Sequence, residues 1–260
     1  MSSNKLTALI GATGLVGGHL RKQYNFDYLI NSTNWNSLNS TDLDFLVVAA
    51  ARAEKWKANQ NPKEDAAHID QLMAHLQKIK ADTAILISTV DVYAKPSLKV
   101  EADSPEIINH PYGFNRRRLE VFFAEHFKNS FIVRLPALFG EGLKKNIIFD
   151  FLNDNETHKI DSRAKFQFYN LLNLKTDLDK VLSHKIKILN LATEPLTVAE
   201  ISQRGFAKLF KNELSAPVTS YDIKSQFAEI WGHHDGYLYS KAQTLEELKD
   251  FVHRYQKGRT

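Results

Sequence analysis

Along the first half of the chain, short apolar runs alternate with stretches whose apolar residues recur at helical spacing. The run over residues 5–10 ends at Gly11, and behind it Val16, Leu20 and Tyr24 repeat every four residues, with Leu15 and His19 beside them. This predicts strand, tight turn, helix. Residues 26–30 predict a second strand and residues 45–51 a third, separated by the Asn- and Ser-rich segment 31–44. Over residues 65–80, Ile69, Leu72, Met73, Leu76 and Ile79 describe one buried helix face. A strand at 83–88 follows, then a loop at 95–111 with three prolines, a helix marked by Leu119, Phe122, Phe123 and Phe127, and a strand at 131–135. The alternation predicts an α/β fold, a Rossmann-type doubly wound parallel sheet with helices on both faces.

Beyond Gly140 the pattern loosens into apolar runs at 147–152, 166–174 and 186–192, with helices predicted at 197–210 and 244–255. Thr197 with Glu200 three residues on is a capping-box signature. Ser240-Lys241 reads as the lead-in to the last helix. A chain of 260 residues suits one large core with an appended lobe. The expected organisation is a core over residues 1–140 and a small mixed C-terminal α/β lobe over 141–260, with some lobe elements returning to the core in one continuous body.

Composition narrows the chemistry. There is no cysteine, which excludes disulfides, thiolate zinc sites and thiol nucleophiles. The net charge of +4 is spread along the chain, and its densest run, Arg116-Arg117-Arg118, falls within a predicted helix. That distribution argues against nucleic acid and fits an anionic small-molecule partner. Residues 1–4 are short and polar and no apolar stretch reaches about 18 residues, so neither a leader nor a membrane span is expected and the cytoplasm is the expected location. His233-His234-Asp235 reads as a solvated turn, and no metal site is expected. Ser88 lacks a Gly-x-Ser-x-Gly elbow, which argues against a hydrolase.

The strongest chemical signal is Gly11-Ala12-Thr13-Gly14-Leu15-Val16-Gly17, set between a strand and an amphipathic helix. Glycine is needed where the backbone takes positive φ or must approach a ligand closely, and the helix start supplies free N–H groups and the positive dipole end. The turn is expected to hold the pyrophosphate of a dinucleotide. After the second strand, where dinucleotide folds commonly carry an acidic residue for the ribose 2′-hydroxyl, stands Asn31-Ser32-Thr33-Asn34. Without a carboxylate the site tolerates a 2′-phosphate, so NADP(H) is expected, with NAD(H) as the alternative.

Taken in order, these segments resemble the extended short-chain dehydrogenases/reductases, a family of sugar-nucleotide reductases, epimerases and dehydratases. The glycine turn is similar to their cofactor turn. The strand ending in Ala49-Ala50-Ala51 looks like the one that runs along the cofactor, and Ile87-Ser88-Thr89-Val90-Asp91-Val92-Tyr93 like their Ser/Thr strand end. Arg134-Leu135-Pro136-Ala137-Leu138-Phe139-Gly140 matches the segment that opens a substrate lobe, and Phe166-Gln167-Phe168-Tyr169 resembles the strand lining it, or equally an alternating edge strand. The short stretch before Phe45 is most reminiscent of the small reductases acting on dTDP-4-keto-6-deoxy sugars.

The resemblance implies a tyrosine acid/base at Tyr112, a hydroxyl at Thr89 orienting the substrate oxygen, and cofactor contacts from Asn31, Ala49, Ala50, Ala51, Ser88, Tyr112 and the i+4 residue. That last position holds lysine in the family and Arg116 here. Arg116 carries the charge that could stabilise a phenolate, but its guanidinium does not readily release a proton to a relay. Asp91, Arg134, Lys144 and Lys145 are the expected substrate residues, and Asp65 is expected to be a solvated helix-start carboxylate. Three activities follow: an oxidoreductase on a nucleotide-activated or related sugar, a catalytically impaired dinucleotide-binding sensor or scaffold, or an epimerase or dehydratase with retained NAD. The helix faces at 65–80 and 115–128 are expected either to form a homodimer or to pack only on the sheet.

Overall fold

The computed structural model describes residues 6–38, 41–106 and 109–258, so Lys5, Asn39, Ser40 and positions 107–108 of the expected segments lie outside the described residues. In chain order the elements are β1 (Thr7–Ile10), α1 (Leu15–Gln23), β2 (Tyr28–Ile30), β3 (Asp42–Val48), α2 (Lys55–Gln60), α3 (Pro62–Leu76), β4 (Lys80–Thr89), α4 (Pro111–His126) and β5 (Ser130–Leu135). They continue with β6 (Ala137–Phe139), α5 (Ile147–Asn153), β7 (Lys165–Phe166), β8 (Phe168–Asn170), α6 (Leu174–Ser183), β9 (Ile188–Asn190), β10 (Leu196–Thr197), α7 (Val198–Phe206) and α8 (Lys241–Lys257).

Local chemistry sets most boundaries. Pro62 and Pro111 occupy first-turn positions, where the missing N–H costs nothing and φ is already helical, so α3 begins before the apolar stripe of Ile69, Leu72 and Leu76. Thr197 with Glu200, and Ser240 with Gln243, form reciprocal capping boxes at α7 and α8. α7 stops at Phe206 and not at residue 210, because Ala207 turns left-handed. In α1 the buried positions are Gly17, His19 and Leu20, with Leu20 at the centre of the inward face, and Val16 is half-buried. Of the expected repeat at Val16, Leu20 and Tyr24, Leu20 is buried and the other two are half-buried.

Contact density divides the chain into two compact units, each assembled from several segments. The first comprises residues 1–94, 104–134 and 173–189. Its six-stranded sheet has the order β2-β1-β3-β4-β5-β9, and β1 pairs in parallel with β2 and β3, and β3 with β4. The chain leaves β1 towards β2 on one side and returns as β3 on the other. The resulting switch point, at the carboxyl ends of β1 and β3, is where doubly wound sheets take ligands. One strand stands beyond β1 where the commonest dinucleotide order has two. One core cluster packs α3 and α4 against a face of this sheet and includes Ile10, Leu46, Val48, Ile69, Leu72, Leu119 and Phe123.

The second unit comprises residues 95–103, 135–172 and 190–260. Here β6 and β8 pair in parallel and β7 and β10 antiparallel. Phe166 to Tyr169 is therefore not one alternating edge strand. It is split between β7 and β8, with Gln167 buried at the break, and Phe168, Tyr169 and Asn170 are all buried. Gln167 exchanges two hydrogen bonds of 2.7 Å with the backbone of Ile223, standing in for a strand partner. Buried Glu101 accepts from the Asn190 and Gln226 N–H groups and from the Ser225 hydroxyl at 2.6–2.9 Å. Burial pushes its carboxyl above the ordinary value despite these donors.

Candidate active site

All the expected catalytic residues and cofactor positions fall in the first unit. At the end of β1, the Gly11 and Ala12 N–H groups donate to the Ile30 carbonyl at 2.8 and 3.0 Å, which ties the turn to β2. Gly11 has φ +93°, and a Cβ there would lie 2.3 Å from the Ala49 carbonyl oxygen. At Gly17 a Cβ would lie 2.1 Å from the Gly11 oxygen. The first and third glycines are thus demanded by backbone packing. Gly14 is different: its nearest neighbour to an added Cβ is the Gly11 oxygen at 3.5 Å, and both Thr13 and Gly14 are exposed.

Gly14 also opens α1. No side chain caps that helix start and its first turn holds no acidic residue. Uncapped N–H groups with the positive end of the helix dipole favour an anion, so the residues present fit a pyrophosphate. Leu15 and Val16 supply the first-turn amides. Beside them, Ala49, Ala50 and Ala51 are half-buried beyond β3, and the Ala50 carbonyl contacts the His68 ring at 3.3 Å. After β2, the Asn31 side chain accepts from the Thr33 N–H and hydroxyl at 2.8 and 2.7 Å, while the Asn34 side chain accepts from the Asn31 N–H at 2.6 Å. This closed turn of amides and hydroxyls presents no carboxylate.

The catalytic candidates meet at the carboxyl end of β4. Thr89 ends β4 and Tyr112 stands on the first turn of α4, near enough for the Thr89 side chain to lower the proton affinity of the Tyr112 hydroxyl. Thr89 in turn accepts from the Asp91 N–H at 3.2 Å, which caps the short 3-10 turn Val90–Val92. Tyr112 enters on the first turn of α4, whose start is capped by the His110 Nδ1 accepting from the Gly113 N–H at 3.0 Å. Its own N–H donates to Asn59 of α2 at 3.0 Å. Burial pushes the Tyr112 hydroxyl above its ordinary value, opposed by the Arg116 charge, by the Thr89 hydrogen bond and by Lys55, and reinforced by Asp91.

Arg116 is almost fully buried at 2% exposure, with its guanidinium carbon 4.0 Å from the centroid of the Tyr112 ring. One terminal nitrogen pairs with Asp65 and the other donates to the Arg52 carbonyl. Its Nε, also buried, meets no acceptor among the described residues. Asp65 is therefore not a solvated helix-start carboxylate. It is buried and receives both Arg116 and the Asn115 amide, the latter at 2.8 Å, because an unanswered guanidinium could not be kept from water there.

A second arginine corrects another expectation. Arg134 is 1% exposed and forms a two-pronged pair with Glu120, Nε and Nη2 donating at 2.9 and 2.7 Å, while Nη1 donates to the Tyr93 hydroxyl at 2.7 Å. With its donors engaged in the core, it does not offer charge to an anionic substrate. Glu120 also accepts from Ser88 at 2.6 Å and from Arg117 at 3.0 Å, so the Ser88 hydroxyl proton points to Glu120. Asp91 pairs with Lys55 at 2.6 Å. Lys144 and Lys145 are exposed in the second unit.

Sequence reasoning missed Lys55, Asn59 and Glu120. The helix carrying the first two, α2, buries only Ala58 among its six residues and has no apolar stripe to announce it. Glu120 follows Leu119 in the amphipathic pattern of α4, where a charged residue ordinarily faces water.

No family model matches this sequence, and no curated protein matches it. Solved structures do share its fold, the Rossmann-type doubly wound arrangement. A dTDP-4-dehydrorhamnose reductase from Yersinia enterocolitica superposes with a TM-score of 0.73 at 16% identity, over 97% of this chain and 100% of that one. The enzyme of the same name from Bacillus anthracis strain Ames, solved with NADP, gives 0.73 at 16% identity over 98% and 100%. A UDP-glucose 4-epimerase from Thermotoga maritima, solved with UDP-glucose, gives 0.73 at 15% identity over 98% and 100%.

Proposed function

We propose that the chain is an NAD(P)-dependent oxidoreductase that reduces a keto group on a nucleotide-activated or related sugar. The observation that carries this reading is the uncapped glycine turn at the end of β1, with Thr89 at the end of β4 of the same sheet and Tyr112 on the first turn of the helix that follows. The fold shared with sugar-nucleotide reductases and epimerases supports it. When bound, the reduced nicotinamide supplies a hydride to the carbonyl carbon. Thr89 orients the carbonyl oxygen. Tyr112 gives its proton to that oxygen, leaving an alcohol and a phenolate that recovers a proton from solvent. A tyrosine kept protonated by burial suits the reductive direction. Gly11, Ala12, Thr13, Gly14, Leu15, Val16 and Gly17 hold the pyrophosphate, and the carboxylate-free turn at Asn31 favours NADP(H) over NAD(H).

The burial of Arg116 favours a second reading, a dinucleotide-binding sensor, since a guanidinium held by Asp65 is no mobile ammonium. The test is turnover of keto-sugar nucleotides with NADPH, after an absorbance scan for retained NAD that identifies an epimerase-type protein. Tyr112→Phe is expected to lower turnover by about 10²–10⁴-fold with NADPH binding unchanged. A native protein that binds NADPH without turnover, and gains turnover in Arg116→Lys, overturns the enzyme reading in favour of the sensor.

A further inference from the structure

The glycine turn and Thr89 stand at the carboxyl ends of their strands. A second concavity opens at the amino ends, and all of its lining belongs to the first unit. Thr7 begins β1, and about 13 Å of extended strand separates it from Gly11. Thr7 stands opposite Phe45 of β3, and Phe45 opposite Thr83 of β4, so the three form a row across one face of the sheet. Phe131 of β5 continues this floor, and Leu182 of α6 with the segment leading to β9 forms a wall. The cleft measures about 380 Å³, within the range of small-molecule sites, and Phe45, Phe131 and Leu182 give it an apolar surface.

The polar groups that face this cleft with capacity to spare are donors. Lys187 lies over the Phe131 ring, its Nζ 4.4 Å from the centroid, and donates to the Asn129 side-chain oxygen at 3.1 Å and the Ser130 carbonyl at 3.4 Å. Both acceptors are neutral, so the positive charge is not cancelled. The Asn129 amide donates onward to the Thr83 hydroxyl at 3.1 Å. That fixes Thr83 as the acceptor there, and its own proton meets no acceptor among the described residues. Lys185, placed just after α6 by a left-handed φ of 54°, adds a second ammonium with no carboxylate partner among the described residues. The Asp44 carboxylate, also at the cleft, is engaged by the Leu6 N–H at 2.6 Å. One hydroxyl donor and two uncancelled ammoniums beside an apolar floor suit a ligand with a flat apolar body and one anionic group. We propose that this cleft is a second small-molecule site, one that takes an organic anion with a planar apolar body. It is separate from the glycine turn and independent of the chemistry assigned to Tyr112.

The probe is 2-naphthoate, titrated calorimetrically into the full chain. It is expected to bind at a single site, with an affinity that saturating NADPH changes by less than about twofold. 2-Naphthylmethylammonium has the same flat body and the opposite charge, and is expected to bind at least about tenfold more weakly. Lys187→Glu is expected to weaken naphthoate binding by about tenfold, and Thr83→Phe, which fills the cleft, to abolish it. Lys187 is exposed, so its variant keeps the test open where the filled variant fails to fold. Absence of naphthoate binding at millimolar concentration overturns the proposal. So do displacement by NADPH, equal binding of the naphthyl cation, and an affinity indifferent to Lys187→Glu. None of these readouts involves turnover, so their failure is distinct from failure of the oxidoreductase reading.

Discussion

Two arginines are buried in the first unit, Arg116 and Arg134, and their surroundings differ in completeness. Arg134 meets Glu120 through two parallel hydrogen bonds and Tyr93 through a third. Arg116 shares Asp65 with Asn115, leans on a backbone carbonyl, and leaves Nε unanswered. Each lies near a tyrosine ring, at 5.0 Å for Arg134 over Tyr93 and 4.0 Å for Arg116 over Tyr112. A well-answered buried pair holds strands and helices together. A buried pair left with an open donor, beside the ring of Tyr112, keeps polar capacity for a further partner.

The largest expected effect falls on the well-answered pair. Glu120→Gln removes the charge facing Arg134 and is expected to cost about 3–5 kcal/mol in urea unfolding. Asp65→Asn is expected to cost less, about 2 kcal/mol, since the Arg52 carbonyl still receives Arg116. Equal costs would break the contrast between the two arginines. Tyr93→Phe, which removes one neutral donor–acceptor partner of Arg134, is expected to cost about 1 kcal/mol while leaving turnover within about twofold. A loss of turnover as large as that of Tyr112→Phe would transfer the chemistry to the other tyrosine.

The smallest expected effect is one of pH. Burial, together with Arg52 and Arg116, holds His68 below its ordinary value of 6.5. Below that value the unfolded chain takes up a proton that the folded chain declines. The stabilisation is therefore complete above 6.5 and is lost as the pH falls through the window beneath it. His68→Gln is expected to flatten part of the decline in Tm between about pH 7 and 5.5, leaving the share owed to His75 and His110. An unchanged slope would remove His68 from the pH response of the Arg116 cluster.

The glycine turn was readable because its requirements are local. Gly17 answers to the backbone of Gly11 and Ala12 and Gly11 to its own positive φ, although the atoms that a Cβ at Gly11 would meet belong to Ala49 and Ala50 beyond β3. Thr89 and Tyr112 were singled out only through the motifs carrying them. The supporting shell was not, because its partners are distant in sequence: Asp65 with Arg116, Asn59 with Tyr112, Lys55 with Asp91. No periodicity announces such pairings, and a charged residue read alone defaults to solvent, which is how Asp65 and Arg134 were misjudged. α6 had its signal, Leu174, Leu178 and Val181 on one face, but its first residue, Leu174, also closes the apolar run that continues from β8.

The sheet order has a consequence for how the protein is made. Strands β1 to β5 leave the ribosome early, but the neighbour of β5 is β9, which begins only at Ile188, after much of the second unit has been synthesised. Until then β5 carries a bare edge of unpaired backbone groups, a template for pairing with other nascent chains. A chain arrested before Ile188 is therefore the form most in need of a chaperone, and the vulnerable surface is the edge of β5, far along the sheet from the glycine turn.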